Sequence, residues 1–502
     1  MNASTPALRA RRLGIHTHDE AEAYMRADCH VCRAEGFAQH SRILLESGGR
    51  EIIATLHHVT SDLLGPDEVG LSEIAWTRLG VHESDAVHAS HVRPVESLGS
   101  VRRRIYGHRL EPSSFLPIIR DIVEGRYADV HLAAFITACA ALPLDREETI
   151  ALTRAMVDAG ERLTWAGSPI LDKHSVGGLP GNRTTPIVVA IVAAHGLIMP
   201  KTSSRAITSP AGTADTMETL APVDLDLPAI RRVIELEGGC IVWGGAVRLS
   251  PADDVLIRVE RALDVDSEGQ LVASVLSKKI AAGSNHVVID MPVGPTAKVR
   301  SMEAADALSA RLIEVGIALG MEARVIVSDG TQPVGRGIGP ALEAHDVLGV
   351  LQARGDACAD LQQRACALAG ALLELAGKAG PGDGASVAAA TIADGRAWKK
   401  FQAICEAQGG MRVPPVAAHI RPLQAPRAGQ VTAIDNRKIA RLAKLAGAPE
   451  SKAAGVALDV KLGTSVAAGQ PLCVVHAESR GELHYALDYA AANPDIIQVA
   501  VS

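Results

Sequence analysis

The chain has 502 residues, room for roughly three or four domains of usual size, and 47% of them are hydrophobic, as in a globular protein with large cores. A net charge of −7 with 3% aromatic residues argues against nucleic acid, which asks for basic surfaces and stacking rings. Met1 to Leu13 lacks the apolar stretch of a leader, and the longest apolar run, Pro186 to Met199, is too short to span a bilayer, so a cytoplasmic protein with no membrane partner is expected.

Residues 1–92 read as a β-rich N-terminal domain. Arg42 to Glu46 and Glu51 to Leu56 flank Ser47-Gly48-Gly49-Arg50, a hairpin signal, and a turn and short helix are expected over Leu63 to Leu79. Of eight cysteines only Cys29 and Cys32 lie close together, with His40 nearby; a zinc site needs about four ligands, so reduced thiols and no metal are expected.

Residues 93–166 turn to helical periodicity. Ser113 and Asp129 are candidate helix starts, and Asp145-Arg146-Glu147-Glu148 forms a capping box before a further helix. Trp165-Ala166-Gly167-Ser168 reads as a hinge into the next domain.

Residues 167–420 alternate strand and helix, with a helical excursion near 225–280. An apolar run ending at Leu171 leads into Asp172-Lys173-His174-Ser175, then a turn with Gly177, Gly178 and Gly181, then a helix from Pro186 to His195. Strand, glycine loop and helix N-terminus in that order aim backbone N–H groups at one spot, where Lys173 adds a charge and Ser175, Thr184 and Thr185 add hydroxyls. A second strand, Gly196 to Thr202, delivers Ser203, Ser204 and Arg205, and Ser209 to Thr213 opens another helix. The loops converge on an anion site, but the lysine precedes the glycines, unlike a Walker loop. Ser274 and Lys278 share a helix face, and Ser328 to Gly339 is a second glycine loop. Residues 421–502 turn to β periodicity, with turns like those of a lipoyl hairpin barrel but no tip lysine.

The stretches Asp172-Lys173-His174-Ser175-x-Gly-Gly, Ser203-x-Arg205 and Gly212-Thr213-x-Asp215-x-x-Glu218 resemble the signature of the thymidine and pyrimidine-nucleoside phosphorylases. Pro200 to Ser209 and Ala211 to Glu218 are most similar to the AMP phosphorylase branch. The resemblance implies Lys173, Ser175, Thr184, Thr185, Ser203 and Thr213 as phosphate ligands and His174 and Asp266 as catalytic groups. It also implies Gly178, Ser204, Arg205, Ala206, Ile207, Thr208, Ser209, Ser274, Lys278 and Lys298 as substrate ligands. The thymidine pattern expects an arginine about fifteen residues before Ser274, where Val259 stands; Arg258 and Arg261 are out of register. Asp266 matches the proton donor of the AMP enzymes.

The resemblance implies an α/β fold: a mostly parallel α/β domain with a helical bundle and small β-rich N- and C-terminal domains, in a homo-oligomer. It implies reversible phosphorolysis of a nucleoside or nucleoside 5′-monophosphate, with inorganic phosphate as a substrate and no cofactor. Thymidine is the alternative substrate to AMP. A phosphoribosyltransferase needing Mg²⁺ and a non-catalytic assembly protein are the rival classes.

Overall fold

The computed structural model describes residues 7–17, 20–206, 209–247, 249–265 and 267–500. It divides into two compact units, Met1–Pro143 with Ala252–Ser267, and Leu144–Pro251 with Glu268–Ser502.

In the first unit six strands close into a barrel: Leu8–Arg12, Glu22–Arg26, Arg42–Ser47, Arg50–Val59, Glu68–Leu71 and Ala86–His91. Strict alternation explains it, since Leu8 and Ala10, Ile43 and Leu45, and Ala54 and Leu56 all point into one core. The expected hairpin is present: Ser47 pairs with Arg50, and Gly48 and Gly49 both take the positive φ that a two-residue turn demands. Cys29 Sγ accepts the Cys32 N–H at 3.2 Å and caps the short helix His30–Glu35. The Cys32 thiol and the backbone N–H groups of the turn pull the Cys29 thiol down to about 6 against the desolvation that opposes it. All eight cysteines are buried and free, and among the described residues no cluster of three His, Cys, Asp or Glu side chains is placed to hold a metal.

Helices Leu98–Ile105, Pro112–Val123, Asp129–Ala141 and Pro251–Leu263 follow. The second begins one residue before Ser113, at a proline in its first turn, because proline needs no N–H partner there. Arg258 grips Asp129 with both guanidinium nitrogens at 2.6 and 2.9 Å, so its charge is already matched within this unit.

The second unit opens on helix Arg146–Asp158, where the capping box forms as expected: Asp145 accepts the Glu148 N–H at 2.9 Å and Glu148 accepts the Asp145 N–H at 3.0 Å. Val157 of that helix shares a core with Val272, Val275 and Leu276 of helix Glu268–Ala281. Trp165 to Ser168 lie inside this unit, where Trp165 Nε1 donates to the Ala282 carbonyl.

Strands Glu322–Asp329, His286–Val293 and Leu171–Ser175 form a parallel sheet in that order, and the parallel pair Met199–Ser203 and Gly239–Trp243 joins it through the Ile170↔Ile198 bridge. Helix Thr185–Ala194 is apolar nearly all round and accordingly buried, packed among the helices of residues 340–407. The chain leaves strand Leu171–Ser175 toward one side of the sheet and later returns to its other side. This makes a topological switch point, where open α/β sheets form crevices at the carboxyl ends of their strands.

The C-terminal region is β-rich, but it is not a barrel of hairpins. It has a four-stranded and a three-stranded sheet, with helices Asn436–Leu445 and Arg480–Ala492 contributing Ile439, Leu442 and Ala486 to the same core. The second glycine loop supplies an edge strand to it, Gly337–Ile338 against Gly455–Leu458. Lys461 Nζ fastens that loop through the Pro333 and Gly335 carbonyls and Asp360, so its backbone is used for docking within the chain. Among the described residues no helix is long and apolar enough to cross a membrane.

Candidate active site

Strand Leu171–Ser175 separates two polar clusters, because successive side chains leave a strand on opposite faces. Lys173 and Ser175 share one face. Lys173, 2% exposed, donates from Nζ to Thr184 Oγ1 at 2.8 Å. Thr184 precedes the first residue of helix Thr185–Ala194, so the buried cation sits beside the positive end of a helix dipole.

Beside them, Asp290 is buried at the centre of a polar hub. It accepts from Ser175 Oγ at 3.1 Å, Asn182 Nδ2 at 2.9 Å and Ser328 Oγ at 2.6 Å, and Arg364 Nη1 lies 3.9 Å away. Parallel pairing puts it there, since Asp290 is in register with Ser175. Burial brings the Lys173 ammonium down to about 8; Asp290 opposes that shift, and Arg183 and Arg364 reinforce it.

On the other face, the Asp172 carboxylate meets Lys201 Nζ at 3.0 Å and Lys279 Nζ at 2.8 Å, with all three side chains buried. Burial opposes ionisation of Asp172, but the two lysines outweigh it and hold the carboxyl below its usual range. Lys279 is brought to about 7, by burial first. His174 shares this face. Burial, then the charges of Lys279, Lys201, Lys278 and Lys173, push its imidazole well below the ordinary range, so it is neutral at neutral pH.

The second loop is built around Asp215 in helix Thr213–Glu218. Asp215 accepts the N–H groups of Ala206 at 2.6 Å and Gly212 at 2.9 Å, folding the two ends of the loop together. Gly212 has no room for a Cβ, which would lie 2.6 Å from the Ser204 carbonyl oxygen. Arg205 donates to both Glu218 oxygens at 2.8 Å, reaches Asp215 at 3.3 Å and lies over the Trp243 ring. Its charge is spent within the protein, and Lys452 adds a further tie to Glu218 at 3.0 Å. Thr213 Oγ1 accepts from Arg183 at 2.7 Å.

The residues expected from sequence therefore fall into groups. Lys173, Ser175 and Thr184 lie in one cluster with Thr185 beginning the adjacent helix, and Arg183 links Thr213 to the same loop. Gly178 approaches Lys298 so closely that a Cβ would sit 2.4 Å from its backbone nitrogen. Lys298 itself is exposed, and Ser203, Ser274 and Lys278 are half-buried. Ser204 is exposed, and Ser209 Oγ donates to the Ala211 carbonyl. Ile207, Thr208 and Asp266 lie outside the described residues. Sequence reasoning did not pick out Asp290, Asn182, Arg183, Glu343, Lys201 or Lys279. The available signal was a charge set in an apolar strand, as in His286 to Asp290 and Leu197 to Lys201.

Residues 100–160 match the helical bundle domain and residues 167–398 the a/b domain of the glycosyl transferase family, and residues 430–496 match the pyrimidine nucleoside phosphorylase C-terminal domain. A relative from Chelativorans sp. (strain BNC1), named "Putative thymidine phosphorylase", is 65% identical over 98% of this chain and 97% of its own. One of the same name from Sphingopyxis alaskensis is 61% identical over 99% and 97%. Among solved structures, anthranilate phosphoribosyltransferase from Thermus thermophilus is similar in fold, with a TM-score of 0.51 and 21% identity over 62% of this chain and 99% of that one. The Saccharomyces cerevisiae enzyme of that name, in complex with PRPP and Mg, has a TM-score of 0.51 and 16% identity over 63% and 98%. By near full-length identity to these relatives and by its three matched domains, the chain belongs to the thymidine and pyrimidine-nucleoside phosphorylase family of glycosyl transferases.

Proposed function

We propose that the chain catalyses reversible phosphorolysis of a nucleoside 5′-monophosphate such as AMP, releasing the base and ribose 1,5-bisphosphate. The observation that carries the phosphate half is the buried Lys173–Thr184 pair at a helix N-terminus. Such a preorganised donor set holds an anion without rearrangement, and at C1′ the anion becomes the nucleophile against an oxocarbenium-like centre. Inorganic phosphate is a substrate, and the reaction needs no metal or organic cofactor.

The departing base needs its charge neutralised. A purine leaves more easily once protonated on its ring, which calls for an acid, and Asp266 matches the position of the proton donor in the AMP branch. His174, neutral at neutral pH, serves by donating an N–H hydrogen bond instead of a full proton. The position of the thymidine-type arginine is taken by Val259, which is buried, while Arg258 is committed to Asp129.

Thymidine is the second reading, favoured by the name its relatives carry. Base release from a panel of nucleosides and 5′-monophosphates, with phosphate or arsenate and with or without a chelator, separates the possibilities. AMP cleavage without metal supports the proposal, and cleavage of thymidine with AMP left intact overturns the substrate assignment. A strict Mg²⁺ requirement points to phosphoribosyl transfer.

A further inference from the structure

We infer that Arg183 is a positioning residue for the phosphate site, holding Thr213 so that its hydroxyl proton is presented to the anion. The inference rests on the phosphorolysis reading of the Lys173 face.

The Arg183 guanidinium has one acceptor for each of its nitrogens: Nε donates to Glu343 Oε2 at 2.6 Å, Nη1 to Thr213 Oγ1 at 2.7 Å and Nη2 to the Ala211 carbonyl at 2.8 Å. Three acceptors on a rigid planar fork fix its orientation. The side chain is only 12% exposed and Glu343 1%, so water competes little for these bonds. Glu343 is held in turn, since Thr216 Oγ1 donates to its Oε2 at 3.0 Å.

The direction of the Thr213 bond is decided by chemistry. Arginine has donors and no acceptor, so Thr213 Oγ1 must accept, and its single proton remains for another acceptor. The same logic holds on the neighbouring loop, where lysine, also a donor only, makes Thr184 Oγ1 accept. Cations bonded to two threonines thus leave the proton of each hydroxyl for a further acceptor. Ser175 is the contrast: Asn182 donates to it and Asp290 accepts from it, so its proton is engaged within the protein. Arg183 also joins the two loops, because it sits next to Thr184 in sequence and bonds to Ala211 and Thr213.

The test measures inorganic phosphate binding by calorimetry, together with the KM values for phosphate and nucleotide, on the full chain. The variants are Thr213→Val, Arg183→Lys, Arg183→Lys with Thr213→Val, and Arg183→Met with Glu343→Leu. Arginine to lysine keeps a charge beside Glu343 but loses the fork. The last pair removes both charges, so that neither is left buried alone if Arg183→Lys melts early. Thr213→Val and Arg183→Lys should each raise the phosphate Kd and KM by roughly five- to fiftyfold, with the nucleotide KM within about twofold. The Arg183→Lys/Thr213→Val variant should be no worse than Thr213→Val alone, because Arg183 acts through Thr213. Arg183→Met/Glu343→Leu should show the same loss of phosphate binding. Wild-type phosphate affinity in Arg183→Lys or in Arg183→Met/Glu343→Leu, or effects that multiply in Arg183→Lys/Thr213→Val, overturns the inference. A wild-type protein that binds no phosphate overturns the site reading first, and the inference with it.

Discussion

Lys173 and Thr184 are 11 residues apart in sequence, yet the lysine ammonium donates directly to the threonine hydroxyl at 2.8 Å in a buried site. A glycine turn lies between them, so strand end and helix start fold back on each other. Removing the ammonium by Lys173→Ala should raise the phosphate KM and lower kcat, costing about 2–4 kcal/mol of transition-state stabilisation, as for lost oxyanion donors. Steady-state kinetics with phosphate varied will test this, and unchanged constants refute a phosphate role for Lys173.

The same burial makes phosphate binding sensitive to alkali. With the Lys173 ammonium titrating near 8, its charge is present at neutral pH and lost as pH rises through that value. Expressed for the phosphate dianion, KM should therefore stay flat up to about pH 8 and then climb toward tenfold per unit. A profile flat to pH 9.5 counts against Lys173 as the anion's cation.

Asp290 supplies the counter-charge. It raises the Lys173 value against the desolvation that lowers it, so in Asp290→Asn the break in phosphate KM should move to lower pH. The relevant measurement is the position of the break, not the size of the activity loss. A break that stays in place shows that Asp290 only fixes Ser175 and Asn182.

Asp172→Asn leaves Lys201 and Lys279 facing each other in a buried site, a change expected to cost about 3–5 kcal/mol of stability. The folded Asp172 carboxyl lies below its unfolded value, so its contribution is present above that unfolded value and fades as pH falls through the folded one. Denaturant melts of wild type and variant should therefore differ at neutral pH and converge in strong acid. Equal midpoints at pH 7 would show that the triad contributes no net stability.

Arg258 is bonded to Asp129, and Val259 occupies the position where the thymidine pattern places its base-binding arginine. Arg258→Ala should leave the KM for nucleotide or nucleoside within about twofold. The half-exposed pair should cost no more than about 1 kcal/mol in stability. A tenfold rise in substrate KM would place Arg258 at the base after all.

Sequence alone determined the features whose partners lie a few residues away. The Asp145–Glu148 capping box, the Gly48-Gly49 hairpin and the strand, glycine loop and helix around Lys173 are set by backbone geometry within a turn or two, and the structure has all three. Period-2 alternation also places Lys173 and Ser175 on one strand face and Asp172 and His174 on the other. What meets each face was decided by the tertiary fold. Asp290 reaches Ser175 across 115 residues and Glu343 reaches Arg183 across 160, contacts that no local propensity encodes. Arg205 shows the limit from the other side, because the motif places a cation on the loop but only the folded positions of Glu218, Asp215 and Trp243 give it its partners within the protein. The physical reason is that buried charge is tolerated only where an opposite charge meets it, and that meeting is fixed by strand register and helix packing between segments distant in the chain.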